Sequence, residues 1–177
     1  LAATPLQWIS INVSARQLRS AEFAHSLHRL LLTKGVTPAR LKLELSETAL
    51  VQNGRPDHAA LERLGHLGVG LAVDDFGTGW SSMAYLKQVS VDSLKVDQSF
   101  VQSLPAEAND RAITTAVLAM ARALGISVIA EGIDSAEQLT VLRALGCEYG
   151  QGFLLGRPMP AAQLASWLRG RSPPQAP

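Results

Sequence analysis

The chain has 177 residues, of which 47% are hydrophobic and 18% are charged. This balance is typical of one globular domain with a sizeable core and excludes a protein that is intrinsically disordered as a whole. The net charge of +1 creates no global field toward a nucleic acid polymer or a membrane, so this segment is expected to contact neither. The single cysteine, Cys147, excludes an internal disulfide and favours a cytoplasmic location, with membrane anchoring left to other domains of a parent protein.

Short apolar stretches alternate with stretches whose leucines recur at helical spacing. The predicted strands are residues 8–13, 41–45, 70–74, 93–96, 127–130 and 149–155. The predicted helices are residues 21–34, 57–67, 110–124 and 135–145. Alternation of this kind predicts parallel strands joined by crossover helices, an α/β domain. We assign this domain to residues 1–169, and residues 170–177 (GRSPPQAP) read as a linker or disordered tail.

A polar residue stands at or near the end of each predicted strand. These residues are Asn12, Glu44, Asp74, Lys95, Glu131 and Gln151. Their average spacing of about 28 residues matches one βα unit. In a TIM-like (β/α)8 barrel such side chains meet at one mouth, whereas a doubly wound sheet gathers its site at one crevice, so the pattern favours the barrel. Because eight units need about 250 residues, we expect an incomplete barrel that lacks about two N-terminal βα units and belongs to a larger protein.

The strand-end residues offer oxygen atoms to a cation. Asn12, Glu44, Asp74 and its neighbour Asp75 suit a hard cation such as Mg²⁺ or Mn²⁺. A zinc site is not expected, because all four histidines fall in predicted helices: His25, His28, His58 and His66. Since neighbouring side chains of a strand point to opposite faces, the adjacent aspartates indicate either an acidic surface turn or a strand that ends at the rim of a metal site.

Lys95 interrupts an apolar run, and Asp97 follows on the same predicted strand face. A lysine among carboxylates and a metal can orient or deprotonate a water and steady a phosphate oxygen, but a buried Lys95–Asp97 pair is the alternative. Glu131, which precedes Gly132, has room beside it for a ligand, although it could equally be an ordinary loop acid. The inventory suits phosphodiester hydrolysis with one or two divalent cations. A Schiff-base aldolase and an enolase-type enzyme remain alternatives.

Six motifs resemble, in order, those of the EAL domain, the bacterial family that opens cyclic di-GMP to linear pGpG. They are INVSARQL, LELSET, DDFGTGWSS, LKVD, IAEGID and GQGFLLGRPMP. The resemblance spans residues 8–168 and implies a phosphodiesterase that depends on Mg²⁺ or Mn²⁺. Neither the aldolase nor the enolase-type alternative explains the two-aspartate loop or the order of the motifs.

The resemblance also implies ligands for two metal ions. Asn12, Glu44 and Asp74 resemble ligands of a first ion, and Asp75 resembles a ligand of a second. Glu131 resembles the acid that helps hold the second ion and its waters. The strand is then expected to end near Asp74, so that the chain turns over residues 75–77 and the two aspartates serve different ions.

Further roles follow from the same resemblance. Lys95 resembles the lysine that contacts and activates the catalytic water. Asp97 beside it, Gln151 and Arg16 are expected on the substrate side, where Arg16 would contact the phosphate or base region. Glu47 resembles the residue that braces the loop of residues 75–82.

Three departures from the family pattern stand out. The Glu-Ala-Leu motif, whose glutamate is a further ligand of the first ion, is absent from the sequence before Asn12. We therefore expect weak or no hydrolysis from the 177-residue chain alone. Asp134 replaces a glutamate that helps position the active-site loop, and Trp80 replaces a usual tyrosine. Both substitutions are expected to tune activity.

These observations predict that the parent protein is a metal-dependent cyclic di-GMP phosphodiesterase. The alternative is a non-catalytic receptor that binds cyclic di-GMP and acts through a protein partner. By resemblance, a homodimer that pairs through residues 81–87 and an upstream sensory or GGDEF-type domain are also expected.

Overall fold

The computed structural model of the protein describes residues 6–52, 55–78, 86 and 90–169. The strands are β1 (Ile9–Asn12), β2 (Leu41–Ser46), β3 (Val51–Gln52), β4 (Arg55–Pro56), β5 (Gly70–Phe76), β6 (Ser93–Val96), β7 (Ser127–Ala130) and β8 (Tyr149–Gly150). The α-helices are α1 (Ala15–Arg19), α2 (Ala21–Lys34), α3 (His58–Gly65), α4 (Gln98–Gln102), α5 (Ala108–Leu124), α6 (Ala136–Ala144) and α7 (Ala161–Arg169). Trp80, the tail at 170–177 and all of residues 81–87 except Leu86 lie outside the described residues.

Six strands form one parallel sheet in the order β1-β2-β5-β6-β7-β8, which is also their order along the chain. Helices cross over between neighbouring strands, α2 before β2, α3 before β5, α5 before β7 and α6 before β8. This arrangement is an α/β partial TIM-like barrel, so the predicted fold class is confirmed. The short β3 and β4 form a separate antiparallel pair. None of the helices within the described ranges has both the length and the apolar character needed to span a bilayer.

The alternation of side chains along each strand separates the core from the concave face of the sheet. On β2, Leu43 and Leu45 are fully buried in the hydrophobic core. Leu94 on β6 belongs to the same core and is also fully buried. Lys42 and Glu44 alternate with the leucines of β2, so their side chains project from the opposite face. The core therefore lies on one side of the sheet and the polar strand-end residues lie on the other.

Most predicted elements agree with the structure, with differences of one or two residues at helix ends. Ser135 and Gln138 form a capping box ahead of α6. Asp57 caps α3 by accepting a hydrogen bond from the Ala60 amide, so the helix begins one residue later than predicted. The sequence analysis did not predict α1, α4 or α7. A capping box between Ser14 and Gln17 was a signal for α1.

The last predicted strand, residues 149–155, is wrong in length because β8 contains only Tyr149 and Gly150. Beyond Gly150 the backbone turns to hydrogen-bond the loop that follows β7. Ile133 donates to the Gln151 carbonyl, and the Leu154 amide donates to the Ile133 carbonyl, both at 3.1 Å. Gly152 allows this approach, since a Cβ at that position would lie 2.2 Å from the Ile133 carbonyl oxygen.

We expect Gly152→Ala to lower the free energy of unfolding by at least about 2 kcal/mol, because the methyl group would collide with backbone that cannot rotate away. Thermal unfolding should show a melting temperature roughly 4–8 °C lower. Gly65→Ala is the matched control, because Gly65 ends α3 with open space around it. The control should be neutral or slightly stabilising. Equal stability of the two variants would show that the contact with Ile133 is not tight.

Candidate active site

The polar side chains at the strand ends surround one cavity of about 400 Å³. The cavity is lined by all six strand-end residues, Asn12, Glu44, Asp74, Lys95, Glu131 and Gln151. Asp75, Asp97 and Asp134 also line it. The structure thus brings together side chains from six different strands, as their βα spacing predicts.

Lys95 lies at the centre of this cavity and is only 3% exposed. Its ammonium nitrogen Nζ is 2.8 Å from three carboxylate oxygens, Glu44 Oε2, Asp74 Oδ1 and Glu131 Oε1. These acids stand on β2, on β5 and directly after β7. One ammonium on β6 therefore connects the strand ends on both sides of it.

This network decides between the alternatives that local sequence left open. The buried Lys95–Asp97 pair is wrong, because Asp97 accepts a hydrogen bond from the Ser99 amide at 2.9 Å and caps α4. Glu131 is not an ordinary loop acid, because its side chain binds the buried ammonium. Both acids line the cavity, but only Glu131 pairs with Lys95.

Burial and neighbouring charges together shift the pKa values of three groups in the cavity. Burial works to lower the pKa of the Lys95 ammonium, but the three hydrogen bonds to carboxylates outweigh it and raise this pKa above its ordinary value. Burial also raises the pKa of the Glu131 carboxyl, although the neighbouring ammonium opposes that change. The pKa of Asp75 is raised by burial and by the charge of Asp74. One ammonium among the six carboxylates that line the cavity leaves excess negative charge, which favours a bound cation.

The two aspartates share one site because of a backbone irregularity, not because the strand ends. The prediction that the strand ends near Asp74 is wrong, since β5 continues to Phe76. Its register against β6 shifts between Val73 and Phe76. Asp75 has φ +54°, and among the described residues it is the single non-glycine residue with positive φ. A bulge of this kind redirects a side chain within a strand and so solves the problem of opposite faces.

Three carboxylates lie close enough to hold one metal ion together. Oxygen atoms of Asp74, Asp75 and Glu131 all lie within 4.8 Å of one another. An all-carboxylate set suits hard divalent cations, so the residues present fit the predicted kind of metal. Glu44 is linked to this cluster through Lys95. Asn12 lines the same cavity from the end of β1.

The remaining predicted residues lie at different distances from the cavity. Gln151 lines it, and Glu47 is buried in a one-turn helix directly after β2. Arg16 is exposed on α1 and is not among the residues that line the cavity. The four histidines are exposed on or beside α2 and α3, away from the strand ends: His25, His28, His58 and His66.

Gln98 and Phe153 also line the cavity, and the sequence motifs did not indicate either of them as a site residue. Gln98 and Gly132 pack against each other, because a Cβ on Gly132 would lie 2.6 Å from the Cβ of Gln98. Phe153 lies at the mouth, with its ring 4.6 Å from the Arg157 guanidinium carbon. The signal in the sequence that could have identified Gln98 was its place directly after the LKVD motif. The apolar run that contains Phe153 was interpreted as strand, which concealed its place at the mouth.

Comparison with known families agrees with this architecture. The sequence model of the EAL domain matches residues 2–158. The chain belongs to the EAL domain family. The resemblance stated on six motifs is therefore confirmed.

Two similar EAL domain proteins come from Pseudomonas aeruginosa. The chain is 41% identical over 156 residues to the bifunctional diguanylate cyclase/cyclic di-GMP phosphodiesterase MucR. The matched region covers 88% of the chain and 23% of MucR. It is 42% identical over 161 residues to the cyclic di-GMP phosphodiesterase NbdA, and the matched region covers 91% of the chain and 21% of NbdA. The chain thus spans about a fifth to a quarter of the length of these relatives.

Solved EAL domain structures have the same fold. The MucR phosphodiesterase in complex with c-di-GMP superposes with a TM-score of 0.84 at 41% identity, over 89% of this chain and 64% of that one. Klebsiella pneumoniae BlrP1, in a complex with manganese and cyclic di-GMP, superposes with a TM-score of 0.80 at 30% identity, over 87% of this chain and 40% of that one.

In this EAL domain, Asp134 fastens the turn that carries Gln151 and Phe153. Its Oδ1 accepts a hydrogen bond from the Phe153 amide at 3.1 Å. We expect Asp134→Ala to weaken this turn by about 1 kcal/mol, which corresponds to roughly fivefold faster hydrogen exchange at the Phe153 amide. Asp134→Asn keeps an acceptor oxygen and should exchange at nearly the original rate. NMR-detected exchange measures both, and an unchanged rate in Asp134→Ala would remove Asp134 from this role.

Proposed function

We propose that the protein containing this EAL domain hydrolyses cyclic di-GMP to linear pGpG with Mg²⁺ or Mn²⁺. The observation that carries the proposal is the buried Lys95 ammonium held at 2.8 Å by carboxylates from three strand ends. Two further features support it: the compact group of Asp74, Asp75 and Glu131, and membership of a family with phosphodiesterase relatives.

The carboxylates are proposed to hold the metal ions. Asn12, Glu44 and Asp74 would contribute to a first ion, and Asp75 with Glu131 to a second. Bound there, the ions would offset the negative charge of the phosphodiester and make a water more acidic. The excess negative charge that these side chains create in the cavity is the physical basis of this assignment.

Lys95 and Glu131 would have different roles toward the attacking water, one as a hydrogen-bond donor and the other as a proton acceptor. In this structure the three carboxylates raise the pKa of Lys95, so its Nζ is a hydrogen-bond donor that would orient the water and steady a phosphate oxygen. Glu131 is the neighbouring carboxylate with a raised pKa, which suits it to accept the proton. Since pGpG keeps a 5′-phosphate, the water oxygen bonds to phosphorus, the P–O3′ bond breaks and the departing O3′ takes up a proton.

Other side chains would bind and orient the nucleotide. Asp97 and Gln151 line the cavity and are proposed to face the ligand. Arg16, exposed on α1, would contact the part of the ligand that extends beyond the cavity. Glu47 and Asp134 are proposed to support the loops on either side. Pairing into a homodimer and an upstream sensory or GGDEF-type domain are proposed for the whole protein.

Incubation of the protein with cyclic di-GMP tests this function. We expect pGpG when Mg²⁺ or Mn²⁺ is present and none after treatment with a chelator. Binding of cyclic di-GMP without turnover would support the non-catalytic receptor instead.

A further inference from the structure

A second lysine, Lys42, projects from the same face of the sheet one layer below the active-site cluster. It precedes Glu44 by two residues on β2, which places it about 6.6 Å closer to the amino end of the strand. Its Nζ donates a hydrogen bond to Ser93 Oγ on β6 at 3.3 Å. The same Nζ lies 4.3 Å from the ring centroid of Trp8, the residue before β1.

The path of Lys42 across the sheet depends on Gly70 of β5. Lys42 and Gly70 are register partners on adjacent strands. A Cβ on Gly70 would lie 2.9 Å from Lys42 Cγ, so the glycine leaves room for the lysine stem. The single side chain of Lys42 thus contacts or passes over β1, β5 and β6 from its own place on β2.

Trp8 contacts β8 in addition to Lys42. Its ring meets the ring of Tyr149 on β8 edge to face, with centroids 6.1 Å apart and planes at 72°. Among the described strands, β1 and β8 are not hydrogen-bonded to each other, so this aromatic contact links strands that the ladder does not join. We call Trp8, Lys42, Ser93 and Tyr149 the barrel floor, because this layer lies across the concave side beneath the cavity.

The floor contains a cation at an energetic cost. Burial lowers the pKa of the Lys42 ammonium, and the nearby charge of Asp92 only partly opposes this change. An apolar side chain would cover Gly70 without that desolvation cost. The ammonium adds the bond to Ser93, which joins β2 to the non-adjacent strand β6, and the cation–π contact with Trp8, which directly precedes β1.

We propose that Lys42 and Trp8 are positioning residues that fix the distance between β1 and β8, and hence between Asn12 and Gln151 at the mouth of the cavity. The upper ends of the same two strands carry these mouth residues. Loss of the floor contacts would remove the side-chain link that runs from β1 to β8 through Trp8 and would misplace Asn12 relative to the carboxylates. The consequence for metal binding rests on the proposed function, but the strand distance does not.

The distance between β1 and the turn that follows β8, which carries Gln151, is measured by pulsed electron paramagnetic resonance. Spin labels go on Ile11→Cys and Leu154→Cys, which are 40% and 42% exposed, with the lone cysteine removed by Cys147→Ser. We expect Lys42→Met and Trp8→Leu each to lengthen and broaden the distance distribution. Lys42→Arg keeps a cation and should restore a narrow distribution. Identical distance distributions in all three variants and in the labelled protein without these substitutions would overturn the proposal.

Metal affinity separates this proposal from a purely structural role. Well below the unfolding temperature, we expect Lys42→Met to weaken Mn²⁺ binding about tenfold, as for groups that orient metal ligands. The matched control is Tyr149→Phe, which keeps the ring against Trp8 and should not change the affinity. A lower melting temperature with unchanged distance and Mn²⁺ affinity would overturn the positioning role. If the parent protein binds neither Mn²⁺ nor cyclic di-GMP, the proposed function fails while the label distances still test the floor.

Discussion

Replacement of Lys95 by methionine is expected to slow cyclic di-GMP hydrolysis about 10²–10³-fold and to destabilise the metal-free protein. Methionine keeps most of the side-chain volume but leaves Glu44, Asp74 and Glu131 facing one another without their shared ammonium. Removal of one partner from a buried ion pair costs about 3–5 kcal/mol. A protein of this size should then melt roughly 10 °C lower in the presence of a chelator.

Divalent cations should partly reverse the loss of stability in Lys95→Met without restoring turnover. The variant has one positive charge fewer beside the same carboxylates, so Mn²⁺ should bind at least as tightly as in the parent protein. Binding to the folded state alone raises the melting temperature as the Mn²⁺ concentration rises. Turnover should still be about 10²–10³-fold lower, because the water and the phosphate lose a positioned hydrogen-bond donor.

The control for this experiment is Lys34→Met. Lys34 is exposed in the last turn of α2, so its loss should cost a few tenths of a kcal/mol and leave turnover unchanged. Thermal unfolding with and without Mn²⁺, together with chromatographic detection of pGpG, measures all these quantities. A Lys95→Met protein with the parent's rate of hydrolysis would refute the role assigned to Lys95.

The elements with a strong local signal were predictable from sequence. Strands 93–96 and 127–130 agree with β6 and β7, and the helix at 21–34 agrees with α2. Alternating leucines in LKLEL separate the two faces of β2, and βα spacing identifies the strand-end groups. Because parallel strands carry their carboxyl ends to one edge, local patterns were sufficient to predict that these groups converge.

The partners of Lys95 were not predictable from local spacing. Asp97 is the nearest acid along the sequence, whereas Glu44 is 51 residues away and is brought close by the sheet. The bulge at Asp75 was also hidden, because the sequence does not reveal that β5 continues past Asp74. The end of β8 depends on the contact of Gly152 with Ile133, and an apolar run such as FLL does not encode that contact.

Asp75→Asn is expected to separate function from stability. Asp75 makes none of the three ion pairs with Lys95, and its pKa is raised by burial and by the charges of Asp74 and Asp97. Asparagine has nearly the same shape and tolerates the positive φ at this position. We therefore expect the melting temperature in chelator to stay the same or rise, while Mn²⁺ affinity and turnover fall by more than the ~10–100-fold typical of outer partners of a metal.

The sign of the pH dependence makes this prediction sharper. Because the folded-state pKa of Asp75 lies above its ordinary value of 3.8, ionisation of this carboxyl opposes folding once the pH exceeds that value. The stability gained by Asp75→Asn should therefore be complete at neutral pH and should vanish below about pH 4. Asp74→Asn is the matched comparison, because Asp74 accepts from Lys95 at 2.8 Å and its loss should destabilise the protein at neutral pH. If Asp75→Asn and Asp74→Asn lowered the free energy of unfolding equally, both carboxylates would stabilise the fold to the same extent. That result would contradict the assignment of Asp75 to metal binding alone.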